Sequence, residues 1–355
     1  MTHAESSTHT PARLGWRMPA EWERHRAVWL AWPHNPVHFD DLERVHAFFV
    51  DMIYWMQTSE LVNLLVPSAY RATIGQRLTD RGCNPARVSL HELGHNDVWL
   101  RDSGPTFLVR YGYGQTPGTS AELAATDWIF DAWGGKYDDV KADDALAPKI
   151  CALEQATLFK APLEMEGGAI DVDGQGTVLT TDTCLIENRN PQLGRRMTES
   201  YLREYLGARH VIWLPRTCAN DDTDGHVDNN GRFVAPGRIA VPRAPRGHID
   251  HEALEANFDA LRSARDASGA SITVVELPHP EGVTGAKGDL PASYCNFYVG
   301  NRVVLVPAFG LPQDEQARQI LAREFPGREA VSLDCRDVLT GGGTIHCLSQ
   351  QQPGA

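Results

Sequence analysis

The 355-residue sequence lacks any apolar run of membrane-spanning length, and it has fewer positive than negative side chains. No stretch approaches the roughly 18 apolar residues that a transmembrane helix requires, and residues 1–22 contain no apolar segment of signal-peptide type. Lysine and arginine together number 33 against 46 aspartates and glutamates, so the formal net charge is −13. A field of this sign repels phosphate backbones and anionic membranes. These absences predict a cytoplasmic protein with no nucleic-acid partner and no membrane partner.

Cysteine is scarce as well. The chain has 7 cysteines, an odd number, and they are widely spaced without a CxxC pair. This usage argues against a disulfide framework and against a structural zinc site. A free cysteine is most often a buried core residue, so a reactive role for any one of them needs further signals.

The chain reads as a short tail followed by one domain with internal repeats. Residues 1–12 are polar and rich in serine and threonine, which predicts a mobile tail ahead of a single folded domain at residues 13–355. In that domain, five segments with helical apolar spacing are each followed by a short apolar strand. The helical segments are residues 42–57, 143–156, 198–206, 251–267 and 314–325. A further helical segment, YRATIGQRL, is inserted in the first unit.

Strand pairs broken by Gly or Asn turns follow several of these units. AIDVDGQGTVLTT, RFVAPGRIAVP and NFYVGNRVVLVP each read as strand, turn, strand. Hairpins imply mixed rather than purely parallel sheets. A repeated unit that cannot bury its own sheet alone is expected to close around a central axis. The predicted fold class is therefore α/β, a five-bladed α/β propeller, in preference to an open doubly wound sheet.

Polar residues fall at equivalent points of the repeats, just before or at the start of each hairpin: Asp97, Glu166, His226, Ser293 and Cys347. Around an axis, these side chains can converge. Each signal is weak when taken singly. Asp97, like Asp102 in RDSGP, is equally explained as a turn residue or cap, and Glu166 as a solvated strand end. Cys347 follows three glycines, which either let the backbone approach a ligand or only form a tight turn.

The segment DDTDGHVDNN surrounds His226 with aspartates and raises the question of a metal. The register of a calcium-binding loop, with a glutamate at its twelfth position, is absent. A zinc site would need three or four suitably spaced ligands, and only His226 and Asp228 are available locally. No metal site is predicted.

Cysteine catalysis on a cation explains the whole set better. Such chemistry needs a thiolate nucleophile, an imidazole that moves protons and a carboxylate that orients the imidazole, which Cys347, His226 and Glu166 supply. Two more carboxylates, Asp97 and Asp228, fit a clamp on a guanidinium. Carboxylates on opposite edges of that planar group can bind it bidentately and leave its carbon facing the sulfur.

Seven motifs, in the expected order, resemble those of the agmatine deiminases of the guanidino-group-modifying (pentein) superfamily. They are MPAEWERHRAVWLAWPHN, NDVWLRDSGPTF, DAWGGKY, EGGAIDVDGQGTVLTTDTCLIENRNP, DTDGHVDN, PASYCNFYVGN and GGGTIHCLSQQQP. The resemblance extends from Met18 to Pro353. It implies a five-bladed α/β propeller with no metal and no cofactor, acting on the small cation agmatine.

The same resemblance implies roles residue by residue. Cys347 corresponds to the nucleophile, His226 to the general acid and base, Glu166 to its carboxylate partner, and Asp97 and Asp228 to the guanidinium ligands. Ammonia would leave first, and hydrolysis of the covalent amidino-cysteine would then give N-carbamoylputrescine. Thr344 stands where asparagine is common, beside the matched positions.

Several alternatives remain open at this level. Trp99 is a candidate wall of the substrate site, although a core tryptophan is the more common outcome. A deiminase of free or peptidyl arginine is the competing enzyme, and a non-catalytic propeller that binds guanidines or polyamines is the competing binding protein. Homo-oligomerisation is expected from the resemblance.

Overall fold

The computed structural model of the chain describes residues 9–112, 121–285 and 288–354. Within them the helices, numbered α1 to α11, are Leu42–Ser59, Arg71–Arg81, Leu100–Ser103, Ala132–Gly135, Leu146–Glu154, Gly194–Leu206, Val227–Asn230, His251–Ser263, Gln313–Glu324, Arg336–Leu339 and Ile345–Leu348. The 3₁₀ segments are Ala12–Leu14, Ser68–Tyr70, Asp138–Ala145 and Gly167–Ala169, and Thr183–Arg189 is a π-helical turn. No helix among the described residues is both long and apolar enough to cross a membrane.

The strands, numbered β1 to β18 in chain order, are His25–Ala31, Leu61–Val66, Val88–Glu92, Thr106–Arg110, Glu122–Ile129, Thr157–Glu164, Ile170–Val172, Thr177–Thr181, His210–Leu214, Arg232–Ala235, Arg238–Arg243, Thr273–Pro278, Thr284–Gly285, Gly288–Asp289, Tyr298–Val299, Val303–Ala308, Glu329–Asp334 and Gln350–Pro353. The five predicted helices correspond to α1, α5, α6, α8 and α9, and the inserted one to α2. The predicted segment 143–156 begins as a 3₁₀ segment and becomes α-helical only at Leu146.

Five mixed sheets repeat one topology. In β4-β5-β6, β7-β8-β9, β10-β11-β12 and β15-β16-β17, an antiparallel pair is followed, after a helix, by a third strand parallel to the second. In the remaining sheet, β18-β1-β2-β3, the C-terminal strand β18 pairs antiparallel with β1. The three predicted hairpins are confirmed, and the end of the chain completes the sheet that its beginning starts.

Helix α1 shows how local sequence produces these units. The Asp41 carboxylate caps the helix by accepting hydrogen bonds from the amides of Glu43 and Arg44, both at 3.1 Å. The apolar residues Val45, Phe49, Met52, Ile53 and Met56 recur at helical spacing and are fully buried. They belong to a large apolar cluster that also contains residues of β2 and β16. The helix is therefore held by its buried face against the strand that follows it and a strand of another sheet.

The predicted tail is only partly within the described residues, because residues 1–8 lie outside them. Thr10 is buried, and its hydroxyl donates to the carboxylate of Glu204 in α6. A contact with the folded domain is thus already made by Thr10, within the predicted tail.

Candidate active site

The candidate site lies where four short segments meet. Each segment directly precedes a strand of a different sheet. Helix α3 precedes β4, the 3₁₀ segment Gly167–Ala169 precedes β7, α7 precedes β10 and α11 precedes β18. Helix α3 contacts α11 and the 3₁₀ segment, which in turn contacts α7. Of the candidate polar residues, His226, Glu166 and Cys347 stand in or next to three of these segments, whereas Asp97 lies before α3.

Cys347 lies in α11 with only 4% of its surface exposed. The side-chain amide of Asn296 donates to its Sγ at 3.0 Å, and the thiol donates to Oδ2 of Asp228 at 3.4 Å. The side-chain oxygen Oδ1 of Asn296 accepts hydrogen bonds from the backbone amides of His346 and Cys347 at 3.1 and 3.3 Å. Asn296, which the sequence analysis did not select, therefore holds both the Cys347 sulfur and the backbone of the segment that carries it.

The glycines before Cys347 give the sulfur room. A Cβ at Gly343 would lie 3.1 Å from Sγ and 2.8 Å from the ring of Trp99. Gly342 has a φ of +106°, a conformation that favours glycine. The glycine segment therefore forms a tight turn and also brings its backbone close to the sulfur and to Trp99. The sequence had left these two roles as alternatives.

His226 is fully buried between two carboxylates. Its Nε2 lies 3.4 Å from Oε2 of Glu166, the partner that the sequence suggested, and its Nδ1 lies 3.7 Å from Oδ1 of Asp102. Among the described residues, none makes a hydrogen bond to that Nδ1. An imidazole oriented on one side and free on the other can exchange a proton with a bound molecule.

Glu166 is itself held by Arg189, a residue that the sequence analysis missed. The Nε of Arg189 donates to Oε1 of Glu166 at 2.6 Å, and its Nη1 donates to Asp224 at 2.8 Å. The side chains of Glu166 and Arg189 are both buried. The paired charges keep Glu166 ionised and aimed at His226, because a lone buried carboxylate would favour its neutral form.

The carboxylate of Asp102 points into the same cluster. It accepts a hydrogen bond from the Gly168 amide at 3.0 Å and from the indole of Trp133 at 2.9 Å, and it is buried. A Cβ at Gly168 would lie 2.9 Å from Asp102 and 2.5 Å from His226, so glycine is required where these side chains approach the backbone. The sequence had left a turn or cap role and a functional role for Asp102 as equal alternatives.

Asp97 has other partners. Its Oδ1 lies 3.1 Å from Nδ1 of His38 and accepts from the Val98 amide at 2.8 Å. In the described parts of the chain, no hydrogen bond or ion pair joins Asp97 to Cys347 or His226. Of the two acidic residues in NDVWLRDSGP, the structure gathers Asp102 rather than Asp97 with His226.

Asp228, in α7, is fully buried beside the sulfur. Its Oδ2 lies 2.7 Å from Nδ1 of His346. Its Oδ1 has no hydrogen-bond partner within the described residues. A buried carboxylate oxygen without a donor is costly unless a ligand supplies one.

Trp99 is both a core residue and a neighbour of the site. It is 7% exposed, and its ring centroid lies 6.3 Å from that of Phe39. Its ring also lies against Gly341 and Gly343 in the loop of Cys347. The two alternatives for this tryptophan are therefore compatible.

The buried charges act on the two reacting groups in a defined way. Burial raises the pKa of the Cys347 thiol well above its usual value, and the charges of Asp228 and Asp102 raise it further. Burial by itself lowers the pKa of His226, but the charge of Asp102 and the hydrogen bonds that the protonated ring donates to Cys184 and Glu166 outweigh it and raise that pKa well above the usual value. The free site thus favours a neutral thiol and an imidazolium.

The carboxyl groups differ from one another. Burial raises the pKa of Asp102 to about 6, against the opposing charge of His226. Burial also acts to raise the pKa values of Glu166 and Asp228, but hydrogen bonds from His226 and His346 respectively, with nearby positive charges, lower both. Asp102 is therefore the carboxyl group most easily neutralised near neutral pH.

Two groups of donor atoms are close enough to hold a metal ion among the described residues: Glu166 with Cys184 and His226, and His248 with Asp250 and His279. In the first, Glu166 already accepts from Arg189, whose positive charge opposes a cation there. In the second, the Asp250 amide donates to Nδ1 of His248, and His279 pairs with the Asp250 carboxylate at 3.4 Å. Internal partners engage donors in both groups.

A buried cysteine beside a carboxylate with one unpartnered oxygen, together with a buried histidine–glutamate pair, is typical of a class of enzyme that attacks a cationic carbon. Residues 17–353 match the family of Porphyromonas-type peptidyl-arginine deiminases. The chain belongs to this family.

Individual relatives of the chain carry a more specific name, agmatine deiminase. The chain is 36% identical to the agmatine deiminase of Stutzerimonas stutzeri over 98% of each chain. The structure of the agmatine deiminase of Enterococcus faecalis superposes with a TM-score of 0.89 at 31% identity, covering 99% of this chain and 100% of that one. A cysteine-to-serine variant of the C. jejuni agmatine deiminase, solved with substrate bound, gives a TM-score of 0.83 at 26% identity over 95% and 96% of the chains.

Proposed function

We propose that this protein hydrolyses agmatine to N-carbamoylputrescine and ammonia through a covalent amidino-cysteine intermediate. The observation that carries the proposal is the buried cluster of the Cys347 sulfur, the His226–Glu166 pair and the unpartnered Oδ1 of Asp228. Full-length similarity to agmatine deiminases supports the choice of substrate. A guanidinium would supply the N–H donors that Asp228 lacks and the carbon that a thiolate can attack.

The guanidinium clamp consists of Asp228 and Asp102. Both are buried, and both charges are close enough to raise the pKa of Cys347. This assignment differs from the sequence-based one, in which Asp97 paired with Asp228. Asp97, with its side chain 10% exposed and beside His38, then lies outside the clamp.

In the first half-reaction, the bound guanidinium offsets the two carboxylates, and Cys347 releases its proton to solvent as the substrate binds. The thiolate attacks the guanidinium carbon, and an S–C bond forms. The imidazolium of His226 donates a proton to a terminal nitrogen, the C–N bond breaks and ammonia leaves. His226 is then neutral and able to act as a base.

In the second half-reaction, His226 takes a proton from water as the oxygen attacks the amidino carbon. The S–C bond breaks, the electron pair returns to sulfur, the second proton of the water passes to the thiolate, and the carbon keeps its oxygen as a ureido group. Glu166 stabilises the imidazolium that forms again, and Arg189 keeps Glu166 in place.

We propose further that the five sheet units surround one pseudo-fivefold axis as a five-bladed α/β propeller, in a single domain. The repeated topology and the pairing of β18 with β1, which joins the two ends of the chain, support this arrangement. A cytoplasmic location and a homo-oligomeric state remain predictions from sequence.

The test is release of ammonia and of ureido product from the purified protein with agmatine, arginine and a blocked arginine peptide. Cys347→Ala is the inactive variant, and Cys83→Ala, at a buried cysteine in the core, is its matched control. We expect turnover of agmatine that only Cys347→Ala abolishes. Turnover of arginine or the peptide instead would assign a different deiminase, and agmatine binding without ammonia release would leave a binding protein.

A further inference from the structure

A cleft of about 930 Å³ lies at the end of the β1–β18 pair opposite to Cys347. In this pair, His25 faces Pro353, and both residues line the cleft. At the other end, Trp29 faces Gln350, the residue of β18 that is closest in the chain to Cys347. The cleft is therefore separate from the candidate active site, and the proposed function does not use it. Its volume is within the range of about 300 to 1,000 Å³ that is usual for sites of small ligands.

Five arginines line this cleft, in a chain whose formal net charge is −13. Each stands at or next to the first residue of β1, β3, β16 or β17, and the five are Arg24, Arg26, Arg87, Arg302 and Arg328. Strands β1 and β3 belong to one sheet, and β16 and β17 to another. Because parallel strands begin at the same edge of their sheet, the fold gathers positive side chains that are far apart in sequence.

The carboxylates among the described lining residues, those of Glu23 and Glu60, already have partners. Each oxygen of Glu23 accepts from a different Nη atom of Arg17 at 2.7 Å. Glu60 is buried, and it accepts hydrogen bonds from the Tyr298 hydroxyl and from the Asn301 amide. Neither carboxylate is free to neutralise the five guanidiniums.

Two of the arginines are held in place by backbone carbonyl groups. The Nε and Nη2 atoms of Arg328 donate to the carbonyl oxygens of Gly300 and Trp22, both at 2.7 Å. The Nε of Arg87 donates to the carbonyl oxygen of Gln57 at 2.8 Å. These contacts orient the two half-buried guanidiniums without cancelling their charge, and a donor that is already oriented loses less entropy when a ligand binds.

Four of the five arginines form no ion pair with a carboxylate in the described part of the chain. They are Arg24, Arg87, Arg302 and Arg328, whereas Arg26 lies 3.8 Å from Glu154. Acidic residues outnumber lysine and arginine by 46 to 33 in this chain, so a shortage of partners does not explain this grouping. Burial lowers the pKa of Arg328, against the opposing charges of Glu60 and Glu21. A partly buried charge of this kind is stabilised by a counterion.

We propose that this cleft binds a small oxyanion with two or more negative charges, either a phosphate ester or a polycarboxylate. The planar guanidinium matches both groups, because it offers parallel N–H donors to two oxygens at once. At physiological ionic strength, charges more than about 8 Å away are largely screened. The local arginines therefore decide the binding of a small ion, whereas an extended polyanion would also meet the acidic surface outside the cleft.

The test is isothermal titration calorimetry of the purified protein with pyrophosphate and with citrate, near physiological ionic strength and without agmatine. We expect one saturable site per chain. Arg302→Gln removes an exposed charge that has no ion-pair partner among the described residues, so it should leave the fold intact and weaken binding by about tenfold. Arg328→Gln should weaken binding at least as much, with thermal unfolding as the check that this half-buried position tolerates the change.

Arg196→Gln is the matched control, because it removes an exposed arginine of α6 that does not line the cleft. It should leave the dissociation constant unchanged. Binding of pyrophosphate alone would identify a phosphate site, and binding of citrate alone a carboxylate site. If neither anion shows saturable binding, or if Arg196→Gln weakens binding as much as Arg302→Gln, the proposal is wrong. No turnover is measured, so either result is independent of whether the protein hydrolyses agmatine.

Discussion

Replacing Asp102 or Asp97 by asparagine, one at a time, distinguishes the clamp proposed from the structure from the one expected from the sequence. The two residues stand five positions apart in NDVWLRDSGP. Asp102 lies in the buried cluster with His226, whereas Asp97 is paired with the half-buried His38. Asparagine keeps the shape of each side chain and removes its charge.

The expected magnitudes differ strongly. Removing one member of a buried, hydrogen-bonded charge pair costs about 2 to 5 kcal/mol, so loss of the Asp102 charge should lower kcat/KM for agmatine by about a hundredfold. The asparagine NH2 group must also face either the Gly168 amide or the Trp133 indole, both donors. An unsatisfied buried donor should reduce the free energy of unfolding by about 1 to 3 kcal/mol.

For Asp97→Asn, the decrease in kcat/KM for agmatine is expected to be smaller than for Asp102→Asn. Ion pairs near the surface contribute about 0.2 to 1 kcal/mol, which corresponds to less than about a fivefold change in kcat/KM. The assay is the steady-state rate of ammonia release over a range of agmatine concentrations, with thermal unfolding as a check on folding. If a folded Asp97→Asn variant loses more kcat/KM than Asp102→Asn, the clamp assignment from the structure is wrong.

Four further predictions follow from the same site. Below pH 6, kcat/KM should fall about tenfold per pH unit, because the Asp102 pKa of about 6 means that acid neutralises this carboxylate in the free enzyme; a pH profile that Asp102→Asn does not alter would contradict this. Iodoacetamide inactivation should accelerate from pH 6 to 9, because the raised pKa of Cys347 keeps it a thiol at neutral pH, and a pH-independent rate would refute that assignment. Arg189→Met should lower the free energy of unfolding by about 3 to 5 kcal/mol, because it leaves the Glu166 charge unpaired. Denaturant unfolding at pH 7.5 measures this change, and an unchanged midpoint would contradict the prediction. Gly343→Ala should lower kcat more than stability because its Cβ would crowd the sulfur and Trp99, and normal turnover would show that the loop relaxes.

Regular secondary structure followed closely from the sequence pattern. The five helix-and-strand units and the three hairpins depend on local apolar spacing and on Gly or Asn turns, and these signals lie within a few residues of the elements that they specify. The motif set also selected Cys347, His226 and Glu166, which stand at equivalent points of the repeats, and Asp228, which stands two positions after His226.

Local sequence patterns did not predict which residues pair when they are far apart in the chain. Nothing near Glu166 indicates that Arg189 will be its partner, and Asp102 resembles a turn residue until Gly168 and His226 lie beside it. In the first unit, the choice between Asp97 and Asp102 depends on how α3 turns, and local propensity does not fix that.

The sequence by itself determined the order of the elements and the type of chemistry, and it singled out the proposed nucleophile, because periodicity, turn residues and reactive side chains are local properties of the chain. The tertiary structure decided which carboxylates share the pocket with Cys347 and which charges compensate them. Those features depend on burial and on distances between residues far apart in sequence. Glu21 reaches His346, and through it Asp228, only after the fold has brought both ends of the chain to one site.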